Sequence, residues 1–307
     1  MSRREVAFFS AVLVAMGMGW GLTMPLTKIA VSTGYGPFGL LLWQQVLGAV
    51  LMAMVCTWRR LPLRRDLPAL RTYLVIALVG AVLPNSLSYT AAVHLPSGIM
   101  SLLLSAIPMF AFAIALALKS DRFAWRRFGG LCFGLIGVGI IVAPSVDLGA
   151  AVPVLWAVAY LLVCLCYAFE GNYVSKWGVA DLSPFQLMLG ASLVGMMLVA
   201  PMMVTSGQTL PPVWPLPVAQ QALIGTSVVH VLVYATYVWL VGRAGAVFAV
   251  QVSYLVTGFG LFWAWFLLGE AVSSMIWLAL AAMFTGMYLV QPRAKAVLEE
   301  VPMMRDT

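Results

Sequence analysis

Ionisable side chains are rare inside the apolar stretches of this sequence, and Glu170 and His230 are the two whose chemistry is most useful there. Glu170 lies about a turn and a half before the end of an apolar stretch, and His230 follows Ser227-Val228-Val229 in another. Such a group costs roughly 2.5 to 3.5 kcal/mol on membrane-insertion scales, so it should face a bundle interior or water. The carboxyl group predicts a proton-coupling site, and the imidazole predicts substrate contact or gating.

Each of these side chains also has a structural interpretation. Glu170 could pair with a neighbouring Lys or bond to the backbone, and His230 could be a hydrogen-bonded interhelical histidine. Lys28, near the outer end of the first apolar stretch, either extends to the lipid headgroups or contacts an anionic group such as a substrate carboxylate. Both interpretations of each residue stay open at this stage.

Polar and aromatic side chains near prolines give a second group of candidates. Pro84 is followed by Asn85 and Tyr89, and a proline within a helix frees a backbone carbonyl that only protein or a water-filled cavity can cover at membrane depth. Pro25 and Pro108 predict similar interruptions, although a packing kink would explain each of them equally well. We add Asn85, Tyr89, Trp20 and Gln251 to the predicted substrate-binding or gating residues.

The elements that must hold these side chains are membrane-spanning helices. The chain has 307 residues, of which 63% are hydrophobic and 9% charged, so too few polar side chains exist to cover a soluble globule. Each crossing of a hydrocarbon core about 30 Å thick needs roughly 20 helical residues. Cutting the sequence at charges, Pro and Gly predicts ten such spans, which use nearly the whole chain.

The basic residues lie in alternate loops. With the N-terminus in the cytoplasm, the loops around 59–71 and 119–127 and the tail after 292 carry most of the Lys and Arg side chains. Neither residue occurs in the opposite loops, around 32–37, 94–96, 145–151, 206–216 and 269–271. The positive-inside rule therefore predicts both termini in the cytoplasm, and it explains the net charge of +7 without a nucleic-acid partner.

An offset of 148 residues aligns the two halves of the chain. It pairs Lys28 with Lys176, Tyr89 with Tyr237 and Ser105 with Ser253, and a shift of one residue adds Asp121 with Glu270. The matches keep their order, which favours a duplicated unit of five helices, and the odd number places the second unit upside down. We predict an all-α polytopic membrane protein of ten transmembrane helices, with inverted five-helix repeats at 1–148 and 149–292 and a cytoplasmic tail at 293–307.

Several short motifs occur at equivalent points of the predicted helices. They are Trp20-Gly21 followed by Pro25 and Lys28, Gly36-Pro37-Phe38, Ser183-Pro184-Phe185, Leu104-Ser105-Ala106-Ile107-Pro108, Gly134-Leu135-Ile136-Gly137-Val138 and Leu267-Leu268-Gly269-Glu270. Over nearly the whole chain they resemble the EamA-like ten-helix members of the drug/metabolite transporter superfamily. The chain departs from that pattern at Asp121, where Glu is usual, and at Gln44-Gln45, near a frequent Arg. The resemblance implies export of amino acids, metabolites or toxic compounds, not one cargo.

We therefore expect a secondary transporter, not an enzyme, in the cell inner (plasma) membrane. It would export a small metabolite, amino acid or drug-like compound by alternating access, with protons as the coupling ion. Its expected partners are the small-molecule substrate and membrane lipid, and we expect no cofactor or metal. The alternative is an integral membrane enzyme or a scaffold without transport activity. HExxH and GxSxG motifs and a P-loop do not occur in the sequence, which disfavours metal-dependent hydrolysis, serine hydrolysis and an ATP-driven pump.

Overall fold

The computed structural model of the protein describes residues 3–142, 153–244 and 252–290, and every regular element in these ranges is a helix. The α-helices are α1 (Arg3–Val31), α2 (Pro37–Trp58), α3 (Leu67–Ile76), α4 (Leu83–His94), α5 (Ser97–Leu104), α6 (Ile107–Ala117), α7 (Trp125–Val142), α8 (Val154–Trp177), α9 (Pro184–Ser206), α10 (Val218–Ala244), α11 (Val252–Leu268) and α12 (Ser274–Val290). A π-helical segment, Ala77–Val82, joins α3 to α4.

Seven of the described helical stretches are long and apolar enough to cross a membrane. They are Ala7–Val31, Pro37–Trp58, Leu67–His94, Ser97–Ala117, Val154–Trp177, Pro184–Ser206 and Val218–Tyr237. The apolar helices α11 and α12 are shorter, at 17 residues each, and α7 has 18 residues with two arginines in its first turn. The chain is thus an all-helical multi-pass membrane protein in its described parts, while the count of ten crossings and the cytoplasmic termini stay predictions.

Pro25, Pro84 and Pro108, the three prolines expected to interrupt helices, have different effects. Pro25 lies inside α1, which continues through it. Pro84 is the second residue of α4, which follows the π-helical segment, and Pro108 lies in the first turn of α6, where the helix restarts after α5. Proline lacks the N–H that would continue the helical ladder, which accounts for the changes at Pro84 and Pro108. The predicted interruptions are therefore present near those two residues, and α1 is continuous at Pro25.

Helices from the two halves of the sequence pack directly against each other. Helix α1 packs on α10 and α11, α2 on α9, and α7 on α12. Glycines allow the closest approaches: a Cβ atom added to Gly21 would lie 2.7 Å from the Gly260 nitrogen, and one added to Gly130 would lie 2.7 Å from the Gly286 carbonyl oxygen. Such contacts are typical of small residues in membrane helices, because they let backbones approach closely.

Candidate functional site

The carboxylate of Glu170 lies against the backbone of the π-helical segment. Glu170 projects from α8, and a Cβ atom added to Gly80 would lie 2.5 Å from Glu170 Oε1, 2.7 Å from Cδ and 2.9 Å from Oε2. The ion pairs found within the described ranges are Arg64 with Asp66 and Arg127 with Asp121, so none of them includes Glu170. An ionisable group thus lies between α8 and the irregular part of the α3–α4 helix, without a basic partner among those pairs.

Two tyrosines lie near this carboxylate. Tyr167, on α8, donates a hydrogen bond to Asn85 Oδ1 on α4 at 3.2 Å. Tyr167 lies three residues before Glu170 on α8, and Tyr234, on α10, lies near it. Because α8 and α10 belong to the second half of the sequence and α4 to the first, this polar group joins helices of both halves inside an apolar bundle.

His230 lies on the same face of α10 as Tyr234 and next to Trp20 of α1. The His230 ring is 6.3 Å from the Trp20 ring and 6.2 Å from the Tyr234 ring, between ring centroids. Tyr237, further along that face, lies 5.6 Å from Trp20. The His230 side chain is nevertheless exposed. Helix α1 packs on α10, and its Trp20 lies beside this imidazole.

Tyr89 is more deeply enclosed than the other predicted site residues in the described ranges. It is 3% exposed and donates a hydrogen bond to Gln44 Oε1 of α2 at 3.0 Å. One turn away on α4, Asn85 is partly exposed and takes part in the bond from Tyr167. Tyr89 therefore connects α4 to α2, whereas Asn85 connects α4 to α8. Gln251, also predicted for the site, lies outside the described residues.

Lys28 lies at the C-terminal end of α4. Its ammonium group donates to the carbonyl oxygens of Ala92 at 2.6 Å, Val93 at 3.2 Å and Leu95 at 3.0 Å. A cation at a helix C-terminus satisfies carbonyls that have no intrahelical partner and interacts favourably with the helix dipole. The two interpretations of Lys28, an extension to lipid headgroups and a contact with an anionic group, both stay predictions.

Glu270 binds the other side of the same turn. It follows α11 and accepts hydrogen bonds from the Ser97 N–H at 2.7 Å, the Ser97 hydroxyl at 2.9 Å and the Gly98 N–H at 2.8 Å. These N–H groups begin α5, so a carboxylate from the second half caps a helix of the first half. Lys28 and Glu270 together hold the short connection between α4 and α5 from both ends.

The second lysine of the matched pair makes a different contact. Lys176, at the end of α8, donates to the carbonyl oxygen of Leu118 at 2.7 Å, just beyond α6. Lys28 and Lys176 match in the offset of 148 residues, but one binds the end of α4 and the other the end of α6. Both lysines are cations that donate hydrogen bonds to carbonyl oxygens at a helix C-terminus. They differ in the helix that they bind.

Sequence reasoning missed Tyr167, Tyr234 and Gly80. Tyr167 and Tyr234 could have been found, because each lies three or four residues from a candidate already chosen and hence on the same helix face. Gly80 carries no such signal among the chain's 27 glycines. Within the described ranges, no group of three or more His, Cys, Asp or Glu side chains is arranged to hold a metal ion.

Known proteins resemble this chain in both sequence and fold. A probable terminal-alkyne amino-acid exporter of Streptantibioticus cattleyicolor is 29% identical over 134 residues, covering 42% of this chain and 43% of that protein. The uncharacterized transporter YdfC of Bacillus subtilis is 22% identical over 191 residues, covering 61% of each chain. The matched segments thus span less than two thirds of either relative.

A solved crystal structure shares the fold over nearly the full length. It has a TM-score of 0.63 and 16% sequence identity, with 98% of this chain and 100% of that chain covered. At that identity the likeness concerns the fold alone. The profile of the EamA-like transporter family matches the sequence twice, over residues 8–143 and 154–291. Two consecutive matches that cover most of the sequence identify the chain as a member of the EamA-like transporter family.

Proposed function

We propose that this protein is a secondary transporter that exports a small metabolite, amino acid or drug-like compound across the inner membrane by alternating access. The observation that carries the proposal is the polar group formed by Glu170, Tyr167, Asn85 and Tyr234, which joins helices of both sequence halves within an apolar bundle. A site between the halves suits a transporter, because a relative movement of the halves would expose it to each side in turn.

The topology that we propose has ten transmembrane helices in two inverted repeats, 1–148 and 149–292, with both termini and the tail 293–307 in the cytoplasm. The double match to the family profile supports a repeated unit. The distribution of Lys and Arg between alternate loops supports the orientation. In this arrangement the Lys28 and Glu270 contacts lie on the outer side and the Lys176 contact on the inner side.

The roles of the site residues follow from their surroundings. Glu170 is the coupling residue, because a carboxyl group in an apolar bundle can bind a proton and release it when a pathway to water opens. His230 and Trp20 contact the substrate from α10 and α1, and Asn85 does so from α4. Tyr89 supports α4 through Gln44. Lys28 acts in gating through the end of α4, and Gln251 stays a predicted substrate contact.

An amino compound is the favoured substrate class within this proposal. Glu170 is the carboxylic acid of the polar group, Tyr234 lies near it, and the His230 ring lies between the Tyr234 and Trp20 rings. Such rings and a carboxylate suit an ammonium group next to an apolar side chain. The relative named as a probable exporter of a terminal-alkyne amino acid supports the same class.

A resistance screen tests transport in cells. Strains that express the wild-type protein, His230→Ala or Glu170→Gln would be grown with toxic concentrations of amino acids, amines and dyes. We expect the wild-type protein to confer resistance to at least one amino compound, and both variants to lose it. An Asp181→Asn variant removes an exposed loop carboxylate and should keep the resistance. Resistance that persists in both site variants would contradict the assigned roles, and the absence of any resistance across the panel would favour an enzyme or scaffold.

A further inference from the structure

The helix geometry changes at the position where Glu170 contacts the first half. Between α3 and α4 the chain forms the π-helical segment Ala77–Val82, and the Leu83 N–H bonds to the carbonyl of Leu78, five residues earlier. Gly80 lies four residues before Pro84, which has no N–H to offer the Gly80 carbonyl. Single π-helical turns inside α-helices occur frequently at functional sites. Gly80 thus faces α8 from a widened turn whose backbone hydrogen bonds are not the regular α-helical ones, and it has no side chain to fill the space between the helices.

We propose that Gly80 is the positioning residue for the Glu170 carboxylate: the missing side chain leaves the space in which that carboxylate lies. The proposal deepens the coupling role of Glu170 and rests on it for its effect on transport. Its geometric basis is that a Cβ atom on Gly80 would approach all three atoms of the carboxylate group, at 2.5, 2.7 and 2.9 Å. Those three atoms are the nearest neighbours of that Cβ position.

A side chain at position 80 would first displace the Glu170 carboxylate, because its three nearest neighbours are all side-chain atoms of Glu170 and none is a backbone atom. Ordinary van der Waals contact begins at 3.4 Å, so an alanine at position 80 would displace Oε1 by about 0.9 Å from its 2.5 Å approach. The end of a flexible side chain can move by this amount, whereas helices could not separate as easily. Gly21 contrasts with Gly80, since its Cβ atom would meet the Gly260 nitrogen at 2.7 Å.

The fold itself should tolerate alanine at position 80. Alanine favours helical structure more than glycine does, so the substitution removes no helical preference. A displacement near 1 Å can reduce the rate of a process that depends on geometry by about 100-fold. We expect Gly80→Ala to lower substrate flux by at least about tenfold while the protein stays folded. Gly171→Ala is the matched control, because it lies next to Glu170 on α8 and its Cβ atom would meet nothing within 4 Å.

A compensating substitution separates positioning from a general loss of structure. Glu170→Asp shortens the side chain by one methylene group and withdraws the carboxylate from position 80. The double variant Gly80→Ala with Glu170→Asp should therefore transport at least as well as Glu170→Asp alone. If instead the two single defects multiply in the double variant, the proposal is overturned. If Gly80→Ala alone is lost from the membrane, the double variant should recover expression, and failure to recover it also overturns the proposal.

Carbodiimide labelling tests the position without relying on transport. Dicyclohexylcarbodiimide reacts with protonated carboxyl groups in apolar surroundings, and mass spectrometry would follow its addition to Glu170 in detergent-solubilised wild type, Gly80→Ala and Gly171→Ala. We expect a severalfold change in the labelling rate for Gly80→Ala and none for Gly171→Ala. Unchanged labelling and unchanged flux in Gly80→Ala would overturn the proposal. Altered labelling of Gly80→Ala would uphold the positioning role of Gly80. If Glu170→Gln also transports as fast as the wild type, the coupling role of Glu170 is refuted.

Discussion

Removing the Glu270 carboxylate should destabilise the junction between the two halves. Glu270→Ala leaves the Ser97 and Gly98 N–H groups without the acceptor that they now bind at 2.7 and 2.8 Å. Ser97 is 0% exposed, so water cannot readily replace the carboxylate. Each unpaired buried donor costs about 1 to 3 kcal/mol, so the two N–H groups together give an expected loss of about 2 to 6 kcal/mol in the free energy of unfolding.

Glu270→Gln should have a smaller effect. The amide oxygen can still accept one of the bonds at the start of α5, but the favourable interaction of a negative charge with the helix N-terminus is lost. We expect a decrease of about 1 to 2 kcal/mol. The graded order, with Ala worse than Gln, distinguishes the loss of an acceptor from the loss of charge alone.

Unfolding in mixed micelles with increasing sodium dodecyl sulfate would measure these differences, with intrinsic tryptophan fluorescence as the signal. Asp181→Asn is the control for the loss of a carboxylate elsewhere and should stay within about 0.5 kcal/mol of the wild type. A Glu270→Ala variant as stable as this control would refute the capping role, and with it the argument that Glu270 links α11 to α5.

Three further variants test other contacts. Lys28→Met should lower the free energy of unfolding by about 1 to 2 kcal/mol, since three carbonyl oxygens at the end of α4 lose their donor; equal stability with the wild type in the same unfolding assay would contradict this. Gly130→Ala should lower the thermal midpoint, because its Cβ atom would meet the Gly286 carbonyl oxygen at 2.7 Å, whereas the Cβ atom of Gly129→Ala would meet nothing within 4 Å; equal midpoints would contradict the close packing of α7 on α12. His230→Ala should weaken substrate binding with little change in stability, measured by tryptophan quenching with the substrate found in the screen; unchanged affinity would place the substrate elsewhere.

The sequence was sufficient to predict the features that depend on local composition. The helical membrane class follows from long apolar stretches, and the family follows from motifs spread along both halves. Glu170 and His230 stood out because charge is rare in such stretches. The structure brings Trp20 next to His230 and Asn85 next to Tyr167, whose neighbour on α8 is Glu170. The functional roles of these residues stay predictions.

Features that depend on contacts between distant residues could not be predicted in the same way. In the sequence Glu270 belongs to a short motif and to the offset pair with Asp121, and neither indicates that its carboxylate caps a helix that begins 173 residues earlier. Gly80 gave no sign of its role, because the space it leaves is defined by a side chain on α8. From the sequence, lipid headgroups and an anionic group are the expected contacts of Lys28. In the structure its ammonium group donates to backbone carbonyls at the end of α4.

Flux through proteoliposomes under an imposed pH gradient tests the central claim most directly. The purified wild-type protein, Glu170→Gln and Asp181→Asn would be reconstituted, and radiolabelled amino acids would be followed with and without the gradient. We expect the gradient to accelerate flux through the wild type and Asp181→Asn, and to have no effect on flux through Glu170→Gln. Flux that responds to the gradient equally in all three proteins would contradict the coupling role of Glu170.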